Sequence, residues 1–207
     1  MTVLIGILLG GAVTRPADDP DELLEKVRSV YDAMKDVSCS FRQTILFGVT
    51  KNEQQFNGTL LMKKGNRYRV EVEDQVIVTD GRTVWSFSKA ANQVLVDRYR
   101  DDPRSFTPDK VLVNVPERYS VSMLPPEKKP DGELVVLKLV PRDRMSNVKW
   151  LKVWIDEKTS LMEKTQVFDV SENLTTYVIE KIRYNISIPE SSFTFVPPAG
   201  VDVVDLR

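Results

Sequence analysis

The chain has 207 residues, 42% of them hydrophobic and 29% charged, with a formal net charge of −1. This is the composition of a single globular domain, and it supplies no field of either sign to hold nucleic acid. With no histidine and one cysteine, it lacks the imidazole on which most serine and cysteine hydrolases and most zinc sites rely, and it can form no internal disulfide.

Residues 3–13, VLIGILLGGAV, are too few to cross a bilayer, which takes roughly 20 apolar residues, but they suit the apolar core of a signal peptide. Residues 1–12 are therefore expected to be a leader and residues 19–207 one domain. Cys39 lies far from that leader, so it is not the lipid-modified first residue of a bacterial lipoprotein. Its position between Ser38 and Ser40 in a strand pattern reads as a small buried filler rather than a nucleophile.

Asp19-Pro20-Asp21-Glu22 has the form of a helix start, with Asp19 as N-cap and Pro20 in the first helical position. Leu23, Leu24, Val27, Val30, Tyr31 and Met34 then recur at helical spacing, which predicts one amphipathic helix ending near Asp36. From Val37 the period changes to two. Strands are predicted at 37–46, 54–63, 67–73, 76–79, 83–88 and 94–98, punctuated by turns such as Lys64-Gly65-Asn66 and Asp80-Gly81. Asn57-Gly58 reads either as a hairpin turn or as a bulge in one long strand, and the bulge is favoured.

The alternation breaks at 101–116, DDPRSFTPDKVLVNVP. Here Thr107-Pro108 can open a short helix carrying Val111, Leu112 and Val115, although the β-branched residues suit a strand equally well. Five further strands are predicted at 119–124, 134–140, 149–155, 162–168 and 174–184, and the proline-interrupted tail at 193–204 reads as a sheet edge.

About eleven strands joined mostly by short turns should curl, because a flat sheet of that size would expose long edges. Side chains alone fill a barrel of about eight strands, and a wider one leaves an interior for something else. Several strands are apolar at consecutive positions, among them Val76-Ile77-Val78, Val135-Val136-Leu137 and Val153-Trp154-Ile155. Both of their faces must meet apolar material, but pattern cannot separate a core from a pocket. Acidic clusters that could suggest a glycosidase have simpler accounts. Those at 18–22 cap the helix, and Asp101-Asp102 lies in a loop. No glycine-rich phosphate loop follows a strand. No catalytic residues, metal or cofactor are expected, and the chain is not expected to be an enzyme.

Three segments in this order resemble the LolA family, periplasmic carriers of lipoproteins: VSCSFRQ at 37–43, VIVTDGRTVW at 76–85 and FTFVPPAGVD at 193–202. The resemblance implies a mainly β fold with an α-helical lid, an incomplete antiparallel β-barrel whose apolar interior takes acyl chains. It implies a periplasmic monomer that shuttles acylated lipoproteins from an inner-membrane release complex to an outer-membrane acceptor. Tyr31, Tyr68 and Leu112 look similar to positions that line the family's cavity, and the full lining expected here is Tyr31, Leu60, Met62, Tyr68, Val70, Trp85, Leu112, Trp150 and Trp154. The family's lid is latched by an arginine after the second strand, and the matching position here is Lys64, with Arg67 able to share the role. Folds of this kind also occur in lipid-sensing regulators of the envelope, which is the alternative reading of function.

Overall fold

The computed structural model describes residues 19–100 and 119–207. The proposed leader, and the segment holding Thr107, Val111, Leu112 and Val115, lie outside them.

Helix α1, Pro20–Ala33, begins as its sequence dictates. The Asp19 carbonyl accepts the Leu23 amide at 3.1 Å, and Glu22 pairs with Lys26 one turn on at 3.0 Å. Leu23, Val27 and Tyr31 form its buried stripe, continued by Met34. The helix stops short of the expected Asp36, because Asp36 already opens the first strand. Its buried carboxylate accepts the amides of Ile186 at 2.8 Å and Ile188 at 3.1 Å, fastening the far end of the chain. A buried carboxylate needs such donors to offset its desolvation.

The strands are β1 (Asp36–Leu46), β2 (Glu53–Lys63), β3 (Arg67–Val72), β4 (Gln75–Asp80), β5 (Thr83–Ser88), β6 (Gln93–Arg98), β7 (Tyr119–Lys129), β8 (Gly132–Pro141), β9 (Val148–Asp156), β10 (Met162–Asp169), β11 (Leu174–Tyr184) and β12 (Asp202–Asp205). They form one open sheet in the order β12-β6-β5-β4-β3-β2-β1-β11-β10-β9-β8-β7. Two antiparallel meanders, β1–β6 and β7–β11, are joined where β1 pairs with β11. The expected count of about eleven becomes twelve because the tail adds β12, which runs parallel to β6. Among the described residues the sheet does not close, so the incomplete barrel is what the chain forms.

The sheet curls around α1. Leu60, Met62 and Tyr68 from β2 and β3 share a single apolar cluster with Leu137, Leu151 and Ile155 from β8 and β9, and the helix residues Leu23, Val27 and Tyr31 sit in it. A second layer covers the outside of β3–β6. The chain crosses β3 and β4 in a 3-10 turn, Glu190–Phe193, with Phe193 buried, and Phe195 packs on Phe87 of β5 with ring centroids 5.6 Å apart.

The bulge expected at Asn57-Gly58 is absent, since β2 pairs in unbroken register with β1 and β3 through both residues. Gly58 is there for space. A Cβ on it would lie 2.5 Å from the Phe41 ring and 2.8 Å from the Glu71 carbonyl. The irregularity falls instead in the β1–β11 pair between Ser38 and Ser40, opposite Lys181, whose φ is 49°.

Candidate functional site

On β1 the residues Cys39, Phe41, Gln43 and Ile45 point to the concave side, because side chains alternate along a strand. Antiparallel register carries that face across the sheet. Phe41 sits opposite Gly58 and Cys39 opposite Leu60, Leu60 opposite Val70, Val70 opposite Ile77, and Phe41 opposite Ile179 on the other side. These residues wall an open groove of about 610 Å³, within the roughly 300–1,000 Å³ typical of small-molecule sites. Its rim is polar where the β3–β4 hairpin supplies Glu73, Asp74 and Gln75.

Of the residues expected from sequence, Leu60, Tyr68 and Val70 line this groove. Tyr31 and Met62 line a second cleft of about 320 Å³ under the helix end, which shares Tyr68 with the groove and includes Lys64 and Arg67. Leu112 lies outside the described residues.

The three tryptophans face the other way, a correction fixed by register. Trp85 is opposite Val78, whereas the groove takes the neighbouring Ile77, so Trp85 points outward beneath the C-terminal layer. Trp154 is opposite Val136 and Lys164. Its indole donates to Glu127 at 2.6 Å, and it packs with Leu134, Val136 and Leu124 in a separate cluster. Trp150 stacks on Phe168 with centroids 5.2 Å apart and has the Lys152 ammonium 5.1 Å from its ring. Consecutive apolar residues on these strands therefore serve two layers, of which only one meets the groove.

Sequence reading missed Phe41, Ile45, Phe56, Ile77 and Ile179 as lining. The signal was present, since the Lys64-Gly65-Asn66 turn sets Met62 opposite Tyr68 and Leu60 opposite Val70, and alternation extends that face to β1 and β4.

The turn between β2 and β3 ties three parts of the molecule together. Lys64 Nζ donates to the Asp32 carbonyl at 2.6 Å, at the end of α1, where carbonyls lack helical partners and the dipole is negative. Arg67 donates through Nε and Nη2 to the Lys64 carbonyl at 2.8 and 2.6 Å and through Nη1 to Glu190 at 2.5 Å. Lys63 meets the same carboxylate at 2.5 Å. Hydrogen bonds from Lys63 and then Arg67 hold the Glu190 carboxyl below the usual range.

Inside, burial dominates. It pushes the Tyr31 hydroxyl up to about 12, only partly countered by the Met162 amide that this oxygen accepts at 3.3 Å. It pushes the Cys39 thiol up to about 11, so the sulfur stays protonated at neutral pH and behaves as an apolar wall atom. No helix among the described residues is long and apolar enough to cross a membrane.

The family model for the outer membrane lipoprotein carrier protein LolA matches residues 32–196. The outer-membrane lipoprotein carrier protein of Haemophilus influenzae is 30% identical over 208 residues, covering 97% of this chain and 93% of its own. An uncharacterized protein of Methanocaldococcus jannaschii is 26% identical over 98% of this chain, which spans 58% of that longer protein. Among solved structures, an uncharacterized conserved protein from Thermus thermophilus shares the fold with a TM-score of 0.59 at 11% identity, covering 89% of this chain and 98% of its own. The chain belongs to the LolA family of outer membrane lipoprotein carrier proteins.

Proposed function

We propose that this protein is a periplasmic carrier that takes the acyl chains of lipoproteins into the concave groove and moves them between the inner and outer membranes. The observation that carries the reading is the groove itself, an open apolar hollow of about 610 Å³ walled by inward residues of six strands. A sheet buried by its own side chains alone would have no such opening. Withdrawing an acyl chain of about fifteen methylenes from water is worth on the order of 12 kcal/mol, at ~0.8 per methylene. Acylated cargo therefore cannot cross an aqueous space without cover. Net transfer needs only small differences in affinity, because donor, carrier and acceptor all offer hydrocarbon.

Tyr31, Leu60, Met62, Tyr68 and Val70 are proposed to meet the acyl chains, and Lys64, braced by Arg67, to latch the helix. That latch is one charge-assisted bond at a wet surface, worth roughly 0.5–1.5 kcal/mol. This is weak enough for cargo or a docking partner to open.

The test is native mass spectrometry of the protein drawn from its own envelope, with displacement of a fluorescent apolar probe by lipopeptides. Bound lipoprotein, and loss of probe binding in Val70→Glu, are expected. A protein that carries no lipid and binds the probe equally well in that variant refutes the reading. A stable complex with a membrane regulator in place of lipoproteins would favour the sensor alternative.

A further inference from the structure

One band of the groove wall is polar. Thr165 on β10 is opposite Tyr177 on β11, and Tyr177 is opposite Gln43 on β1. Three adjacent strands thus present a hydroxyl, a phenol and an amide at one level, and all three residues line the groove. Toward the helix, this band is followed by Phe41, Ile179, Cys39 and Leu60.

Two features of the band lack an internal explanation. Thr165 is fully buried, and among the described residues its Oγ1 has no hydrogen-bond partner. Buried hydroxyls are nearly always satisfied, because an unmade bond costs about 1–3 kcal/mol. Among the described residues, the Tyr177 oxygen accepts from Gln43 Nε2 at 3.3 Å and donates to none. Burial raises the phenol's pKa, so its proton is held and available to donate. A valine and a phenylalanine would fill the same space without the unmade bonds.

We propose that Thr165, Tyr177 and Gln43 form a subsite for the carbonyl oxygens of the ester or amide bonds that join acyl chains to the cargo's head. All three groups can donate, and such a carbonyl only accepts; the Thr165 hydroxyl, closed off in the empty groove, is reached when entering chains part the side chains over it. The band lies about 13 Å, four strand residues, from the level of Cys39. Chains can therefore run along the apolar wall toward Tyr68 while their linkage stays at the band. The subsite would fix how deep the chains enter and tell an acylated head from plain hydrocarbon. This inference rests on the carrier reading and names the cargo chemistry of the same groove.

The experiment compares two lipopeptides with equal chains, one ester-linked and one ether-linked, displacing a fluorescent apolar probe from the full chain. The ester form is expected to displace at a concentration about three- to tenfold lower, the net worth of one hydrogen bond. In Thr165→Val/Tyr177→Phe the ratio should fall to near one, and Thr165→Val alone, an isosteric change, should lower it in part. A wild-type ratio of one, or a ratio unchanged in both variants, overturns the subsite and leaves the carrier reading standing. If neither lipopeptide displaces the probe, the carrier reading falls and the subsite with it.

Discussion

Gly58→Ala tests whether the groove floor is as tight as the structure makes it. The new methyl would sit 2.5 Å from the Phe41 ring and 2.8 Å from the Glu71 carbonyl oxygen. The ring can swing away, but the carbonyl belongs to the β2–β3 ladder, where Thr59 faces Glu71, and cannot move without straining that pairing. Overpacking of this kind costs about 1–3 kcal/mol. Against it stands the gain from restricting the unfolded chain, about 0.4–1 kcal/mol. Steric cost should win, leaving a net loss of about 1–2 kcal/mol and a melting point lower by roughly 2–8 °C, at 2–4 °C per kcal/mol for a chain of this size. Because Phe41 lines the groove, the displaced ring should also weaken apolar-probe binding. Thermal denaturation of Gly58→Ala, with and without Phe41→Leu to remove the ring, measures both terms. A variant as stable as wild type, or more so, would show that the strand relaxes freely and that the glycine is not there for space.

Tyr31→Phe removes the acceptor for the Met162 amide and should cost about 1–2 kcal/mol, visible in urea unfolding; an unchanged midpoint would show that water or another acceptor replaces it. Lys64→Met should change global stability by less than about 1.5 kcal/mol while speeding hydrogen exchange at the end of α1, and unaltered exchange there would remove the latch. The buried Asp156 gains a pH dependence. Burial pushes its carboxyl up, but the Lys129 ammonium and the Thr159 donors outweigh it and hold the group at about 2, below its usual 3.8. Since the folded state binds the proton more weakly, this stability is complete above about pH 4 and is lost as pH falls from there through 2. It amounts to on the order of 2 kcal/mol. Asp156→Asn should flatten the wild-type fall in stability between pH 5 and 2, and parallel curves would contradict the assignment.

The fold was legible because it is built from local rules. Each strand predicted from Val37 to Tyr184 forms within a few residues of its expected bounds, apart from β7, which runs on to Lys129 through Pro125 and Pro126. Prolines are tolerated there because, among the described residues, β7 is an edge strand of the sheet. What local rules could not give was the partner of β12. Its parallel pairing with β6 depends on the chain first crossing the outside of the sheet, held by Asp36 and by Glu190 with Lys63 and Arg67. Glycine at Gly58 was likewise misread, since a bulge and a close ring contact leave the same mark in a sequence.

The site was half legible, for a reason set by strand geometry. Val76-Ile77-Val78 announces that both faces of β4 are dry but does not say which material dries each one. In the structure Ile77 faces the groove, while Val78 is buried on the opposite side with Trp85 as its neighbour. Large aromatic residues were the natural choice for a greasy cavity, yet all three tryptophans lie on the outer face. A carrier has a physical reason for that arrangement. Tryptophans inside would fill the hollow and donate hydrogen bonds that hydrocarbon cannot accept, whereas outside they cover the sheet and find partners such as Glu127. The groove wall is left to smaller or flatter side chains, Cys39, Val70, Ile77 and Phe41, which leave room. Filling that room, for instance by Val70→Trp, should therefore abolish probe binding while leaving the melting temperature within a few degrees of wild type, because the new ring has an open groove to enter. Probe affinity unchanged in that variant would mean that the hollow is not where apolar ligands go.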